Sequence, residues 1–132
     1  MSGKRILVIE DDPRVREACV DILGELGHTL VAVDDGARAL AEIARAAPDV
    51  ILLDLLMPRA KMDGLEFLSR VATGPAAHTP VIILSALGET LARHLSRDIT
   101  AELRIAAILP KPVALDALVH EIDRVHAVGT SL

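Results

Sequence analysis

The chain has 132 residues, 52% of them hydrophobic, which allows one well-buried core and leaves no room for a second domain. Its formal charge of −5, with acids and bases interspersed, argues against electrostatic docking on nucleic acid or anionic lipid and suits a soluble protein with protein partners. Phe67 is the only aromatic residue, so stacking platforms for bases or ring cofactors are excluded and the core must come from Leu, Ile, Val and Ala.

In chain order, Lys4 and Arg5 precede an apolar run at 6–9 that is far too short for a signal peptide or a membrane span, and a cytoplasmic location is expected. Asp12 before Pro13 reads as a helix cap. Val15, Cys19, Ile22, Leu23 and Leu26 then recur at three- and four-residue steps, a buried helical stripe that ends at Gly27. Cys19 has no partner for an internal disulfide and sits in that stripe, where core packing is its expected role; a reducing compartment is consistent. The run 30–33 lies among small and polar neighbours and is expected at a sheet edge. Asp35-Gly36 marks the turn out of it, and the Ala-rich second helix stops at Pro48.

Further strand-length runs follow at 50–53, 81–84 and 106–109, and a last helix carries Leu115, Leu118, Val119 and Ile122. Four of the five runs are nearly uniformly apolar rather than alternating, which points to parallel strands covered by helices on both faces. Residues 126–132 read as a frayed end or the start of a linker, giving a domain over 1–128 and a flexible tail over 129–132. Strand and helix alternate with short connections, which predicts right-handed crossovers and a doubly wound α/β layer. The flavodoxin-like order 2-1-3-4-5, borrowed from other proteins of that class, is the natural solution for five strands.

In such sheets a site forms at the carboxyl ends of the strands. The residues that follow the runs are Glu10, Asp11 and Asp12 after the first, Asp54 after the third, Ser85 after the fourth and Lys111 beside Pro112 after the fifth. Carboxylates gathered within roughly 4 Å repel by a few kcal/mol at an effective dielectric near 20, so the cluster needs a cation. Magnesium prefers oxygen ligands and commonly binds through one or two carboxylates. Asp11 and Asp54 are the expected direct ligands, Glu10 acts through water, and the Leu56 backbone carbonyl could add an oxygen. Asp54 is also the expected nucleophile, forming an aspartyl phosphate, with Lys111 stabilising the transferring oxygens and the Ser85 hydroxyl engaging the phosphoryl group once it is present. Any one of these residues alone would read as a cap, a turn or a surface lysine; their joint placement at four strand ends carries the argument. The five histidines lack metal-ligand spacing and are expected on the solvated surface.

Five segments, ILVIEDD (6–12), DVILLDLLMP (49–58), MDGLEFL (62–68), VIILSA (81–86) and LPKP (109–112), resemble the receiver domains of two-component response regulators across nearly the whole chain. By that resemblance Asp54 is the phospho-acceptor, Glu10 and Asp11 are the acidic pair, Ser85 is the switch hydroxyl and Lys111 is the conserved-type lysine. The resemblance also implies a histidine kinase or histidine phosphotransfer protein as donor, an unidentified downstream protein as partner, and a cis peptide before Pro112. A chemotaxis-type single-domain receiver, rather than an enzyme acting on small molecules, is the expected class.

Three departures stand out. Arg59-Ala60-Lys61 replaces the usual single residue before Met62, and the spacing from Ser85 to Lys111 is about one helical turn longer than usual. Ile108 stands where many relatives carry Tyr or Phe. A phosphate-independent pseudo-receiver is the alternative, disfavoured because the acidic pair, acceptor, hydroxyl and lysine are all present. A magnesium phosphohydrolase would need a second Asp where Leu56 sits, and neither a dinucleotide fingerprint nor a Walker loop occurs.

Overall fold

In the computed structural model, which describes residues 3–86 and 104–125, every apolar run becomes a strand. The described elements are β1 (Arg5–Ile9), α1 (Pro13–Glu25), β2 (Thr29–Val33), α2 (Gly36–Arg45), β3 (Val50–Asp54), α3 (Gly64–Ala72), β4 (Val81–Ser85), β5 (Ile105–Pro110) and α4 (Leu115–Arg124). The strands are all parallel, in the order β2-β1-β3-β4-β5 expected of the flavodoxin-like class. Residues 87–103, which hold most of the lengthened spacing between Ser85 and Lys111, and the tail from 126 onward lie outside the described residues.

Alternation along the strands divides the core into two layers. Ile6, Val8, Val50, Leu52, Ile82 and Leu84 pack with Cys19 and Leu23 of α1 and with Leu118 and Ile122 of α4. Leu7, Ile9, Ile51, Leu53, Val81 and Ile83 pack on the other face with Ala39 and Ile43 of α2 and with Phe67, Leu68 and Val71 of α3. Each fully buried Leu or Ile contributes roughly 1.5–3 kcal/mol, so the three central strands dominate stability.

Two expectations need correction. The uniformly apolar run 106–109 predicts a strand hidden on both faces, yet β5 is only half buried along its length, because the strand order puts it at the sheet edge opposite β2. Its register shifts after Ile105, leaving Ala106 outside the ladder, and the Arg124 guanidinium donates to the Ala106 carbonyl at 2.9 Å. The helical stripes are also narrower than their periodicity suggests. Leu26 is 53% exposed because α1 ends one residue before it, and Leu115, the first residue of α4, is 47% exposed.

Asp12, Asp35 and Asp63 each cap a helix, accepting from the backbone N–H of Arg14, Ala37 and Glu66 respectively. Asp35-Gly36 therefore does more than turn the chain out of β2: Asp35 caps α2 and Gly36 is its first residue. Past the end of α1, Gly27 takes φ 94°, a left-handed conformation that favours glycine.

Candidate functional site

The parallel register brings the carboxyl ends of the strands level. Ile9 pairs with Leu53, Asp54 with Leu84, and Ser85 with Pro110. Backbone bonds carry the ladder past the strand ends: Glu10 N–H donates to the Val33 carbonyl at 3.0 Å, Leu55 N–H to Leu84 at 3.3 Å and Lys111 N–H to Ser85 at 3.0 Å. The residues that follow the apolar runs are thus gathered at one rim, although up to 101 positions separate them in the chain.

Glu10, Asp11 and Asp54 each place a carboxylate oxygen within 4.8 Å of the others. Glu10 and Asp54 are buried at 1% and 3% exposure, while Asp11 is half buried at the mouth. The Lys111 ammonium spans the inner pair, 2.9 Å from Glu10 Oε2 and 3.3 Å from Asp54 Oδ2. Leu56 N–H donates to Asp54 Oδ1 at 3.3 Å, and Asp12 N–H to Glu10 Oε1 at 3.2 Å. Leu56 is 47% exposed. Ser85 is fully buried at the end of β4, one residue past the Leu84 that pairs with Asp54. The peptide between Lys111 and Pro112 is cis, as the resemblance implies.

Burial and like charge govern the electrostatics of this cluster. Burial, and then repulsion from Asp54, pushes the Glu10 carboxyl up to about 7 despite the nearby lysine. Burial likewise raises Asp54, against the opposing pull of Lys111. Lys111 itself loses hydration, which disfavours its charge, but the Glu10 hydrogen bond and the two carboxylates outweigh that and raise it. Three carboxylates against one lysine leave an excess of negative charge in a poorly solvated rim, and an all-oxygen donor set of this kind fits a hard divalent cation.

Asp12, by contrast, points away from the cluster to cap α1 and pair with Arg14, as its position before Pro13 suggests. Two contacts at the rim arise from tertiary packing alone. The Arg16 guanidinium donates to the Glu10 carbonyl at 2.9 Å, an interaction that depends on how α1 lies across the sheet. Asp35, readable as a cap, also accepts from the Lys61 and Met62 amides. Among the histidines in the described residues, His78 and His120 are exposed, and His28 Nδ1 accepts from Lys4 N–H at 3.0 Å.

The response regulator receiver domain family matches residues 6–123 of the chain. The response regulator MprA of Mycobacterium tuberculosis is 38% identical over 114 residues, covering 86% of this chain and 46% of that protein. Its counterpart from Mycobacterium leprae is 36% identical over 118 residues, covering 89% of this chain and 49% of the relative. The chain thus spans about half the length of these relatives. Among solved structures, the receiver domain of the Francisella response regulator 1452 superimposes with a TM-score of 0.77 at 29% identity, covering 92% of this chain and 94% of that one. No described helix is long and apolar enough to cross a membrane. The strand order, the acidic rim with its lysine, and these matches place the chain in the response regulator receiver family of two-component signalling.

Proposed function

We propose that this receiver takes a phosphoryl group onto Asp54 from a phosphohistidine on a histidine kinase or histidine phosphotransfer protein, with magnesium in the acidic rim, and that the modification switches its protein contacts in the cytoplasm. The observation that carries the reading is the convergence of Glu10, Asp11 and Asp54 within 4.8 Å, with Lys111 bridging two of them.

Asp11 and Asp54 would hold the ion, with Glu10 acting through water and the Leu56 carbonyl as a further oxygen. Bound magnesium supplies charge neutralisation between the carboxylates and the incoming phosphoryl oxygens. The Leu56 amide steadies the Asp54 carboxylate through Oδ1. An Asp54 oxygen forms the new bond to phosphorus as the phosphorus–nitrogen bond of the donor breaks, and that bond's electron pair returns to the donor imidazole. Lys111, already drawn to the inner carboxylates, offers its three N–H donors to the phosphoryl oxygens. Ser85 is the switch hydroxyl, engaged by phosphoryl oxygens that exist only in the modified state. Ile108, half buried against the same layer as Ile83, offers neither a ring nor a hydroxyl, so the switch runs without an aromatic partner. The protein is a signalling module that promotes its own phosphotransfer and dephosphorylation.

Incubation with acetyl phosphate and magnesium should raise the intact mass by one phosphoryl group, and Asp54→Asn should abolish the rise. An unmodified wild-type chain under conditions where a known receiver is labelled would favour the phosphate-independent interaction module instead.

A further inference from the structure

The segment joining β3 to α3 carries the triplet Arg59-Ala60-Lys61, and its backbone is held by aspartates from two other loops. Lys61 N–H donates to Asp35 Oδ2 at 2.7 Å, and Met62 N–H reaches the same oxygen at 3.4 Å. Asp35 Oδ1 meanwhile accepts from Ala37 N–H at 2.7 Å as the cap of α2. Gly36 N–H donates to the Met62 carbonyl at 3.0 Å, and a Cβ on Gly36 would lie 2.9 Å from Met62 Cγ, so the two loops are in close contact. On its other side the segment touches the acidic rim, where Arg59 N–H donates to Asp11 Oδ2 at 3.4 Å.

Asp35 is therefore the one side chain among the described residues that ties the cap of α2 to a loop whose next anchor is a carboxylate of the cluster. Its charge is suited to the task. Burial opposes ionisation, but three backbone N–H donors and the neighbouring Arg38 outweigh it and hold the carboxyl below its usual range.

We propose that Asp35 is a positioning residue for the metal site: by clamping residues 59–62 it holds the Arg59 amide against Asp11 and fixes the rotation of the carboxylate shared with Glu10 and Asp54. This rests on the reading of that cluster as a magnesium site. Residues that orient a ligand typically change metal affinity by roughly tenfold to a hundredfold when lost. Because the Arg59–Asp11 contact is long at 3.4 Å, the expected effect lies lower, at about threefold to tenfold.

The test is calorimetric titration of the full chain with magnesium chloride at pH 8 without phosphodonor, alongside metal-free thermal melts. It compares wild type, Asp35→Ala and Asp35→Ser. Serine keeps a hydroxyl that can cap α2 but has no second oxygen for Lys61 and Met62, so it separates the clamp from the cap. The expected result is a magnesium Kd raised at least threefold in both variants, with the serine variant melting close to wild type. A serine variant that binds magnesium within threefold of wild type overturns the proposal, whatever alanine does, since the effect would then belong to the cap. A wild-type chain that takes up no magnesium refutes the metal site itself, and the positioning role with it.

Discussion

Removing the acceptor charge should stabilise the metal-free protein and destabilise it relative to wild type once magnesium is present. Asp54 shares a site of 4.8 Å with Glu10 and Asp11, so at an effective dielectric near 20 each repulsion amounts to at least about 3.5 kcal/mol when all three are ionised. Against this, Asp54 attracts Lys111 at 3.3 Å, about 5 kcal/mol on the same footing. Relieving two repulsions while losing one attraction favours Asp54→Asn by about 2 kcal/mol, and Lys111 keeps its contact with Glu10 at 2.9 Å. For a domain of this size that corresponds to a melting temperature higher by roughly 5–10 °C. The assay is thermal unfolding followed by far-ultraviolet circular dichroism in EDTA at pH 8, above the value of about 7 to which Glu10 is pushed. With magnesium at about a hundred times its Kd, wild type gains about 2.7 kcal/mol by mass action. The variant has lost a direct ligand; a fall in affinity of about fiftyfold or more holds its gain below about 0.7 kcal/mol, and the order of stability then reverses. If Asp54→Asn melts below wild type in EDTA, the lysine dominates the cluster and the excess-charge argument is wrong.

Three further expectations follow from the same geometry. In EDTA, wild type should lose stability as pH rises from about 4.5 to about 7, because Glu10 binds its proton more tightly folded than unfolded, so the native state holds more protons throughout that window. Glu10→Gln, lacking the group, should show a flatter profile by thermal melts at pH 5.5 and 8, and parallel profiles would count against the reading. A Cβ at Gly64 would lie 2.7 Å from the Leu55 carbonyl oxygen and 3.1 Å from that of Asp54. Gly64→Ala should therefore destabilise by about 1–3 kcal/mol in urea unfolding and slow acetyl-phosphate labelling, since the backbone that must yield carries the acceptor. Asp12→Ala should lower the melting temperature by a few degrees through loss of the α1 cap yet leave magnesium affinity unchanged in calorimetry; weakened binding would show that Asp12 belongs to the site.

Much of the architecture was legible in local pattern. Strand-length apolar runs at fixed intervals, helical stripes such as Cys19 and Leu23, and Asp12-Pro13 as a helix start are written in short-range chemistry, and each of the five strands lies within a residue of its apolar run. The candidate site was legible for a related reason: when every strand is parallel, the residue after each apolar run must emerge at the same rim, so Glu10, Asp11, Asp54, Ser85 and Lys111 could be named from position alone.

What the residues could not determine unaided is whatever depends on how separate elements lie against one another. The uniform apolar run of β5 resembled a central strand, and only its place at the end of the sheet exposes it. The reach of Arg16 to the Glu10 carbonyl depends on the tilt of α1, and the double grip of Asp35 on its own helix and on the Lys61 loop depends on two loops meeting 26 residues apart. Hydrophobic periodicity and capping act over a few residues and can be read along the chain. Lysine-to-carboxylate distances, shared amides and edge exposure arise from packing across the sheet, which only the folded chain decides.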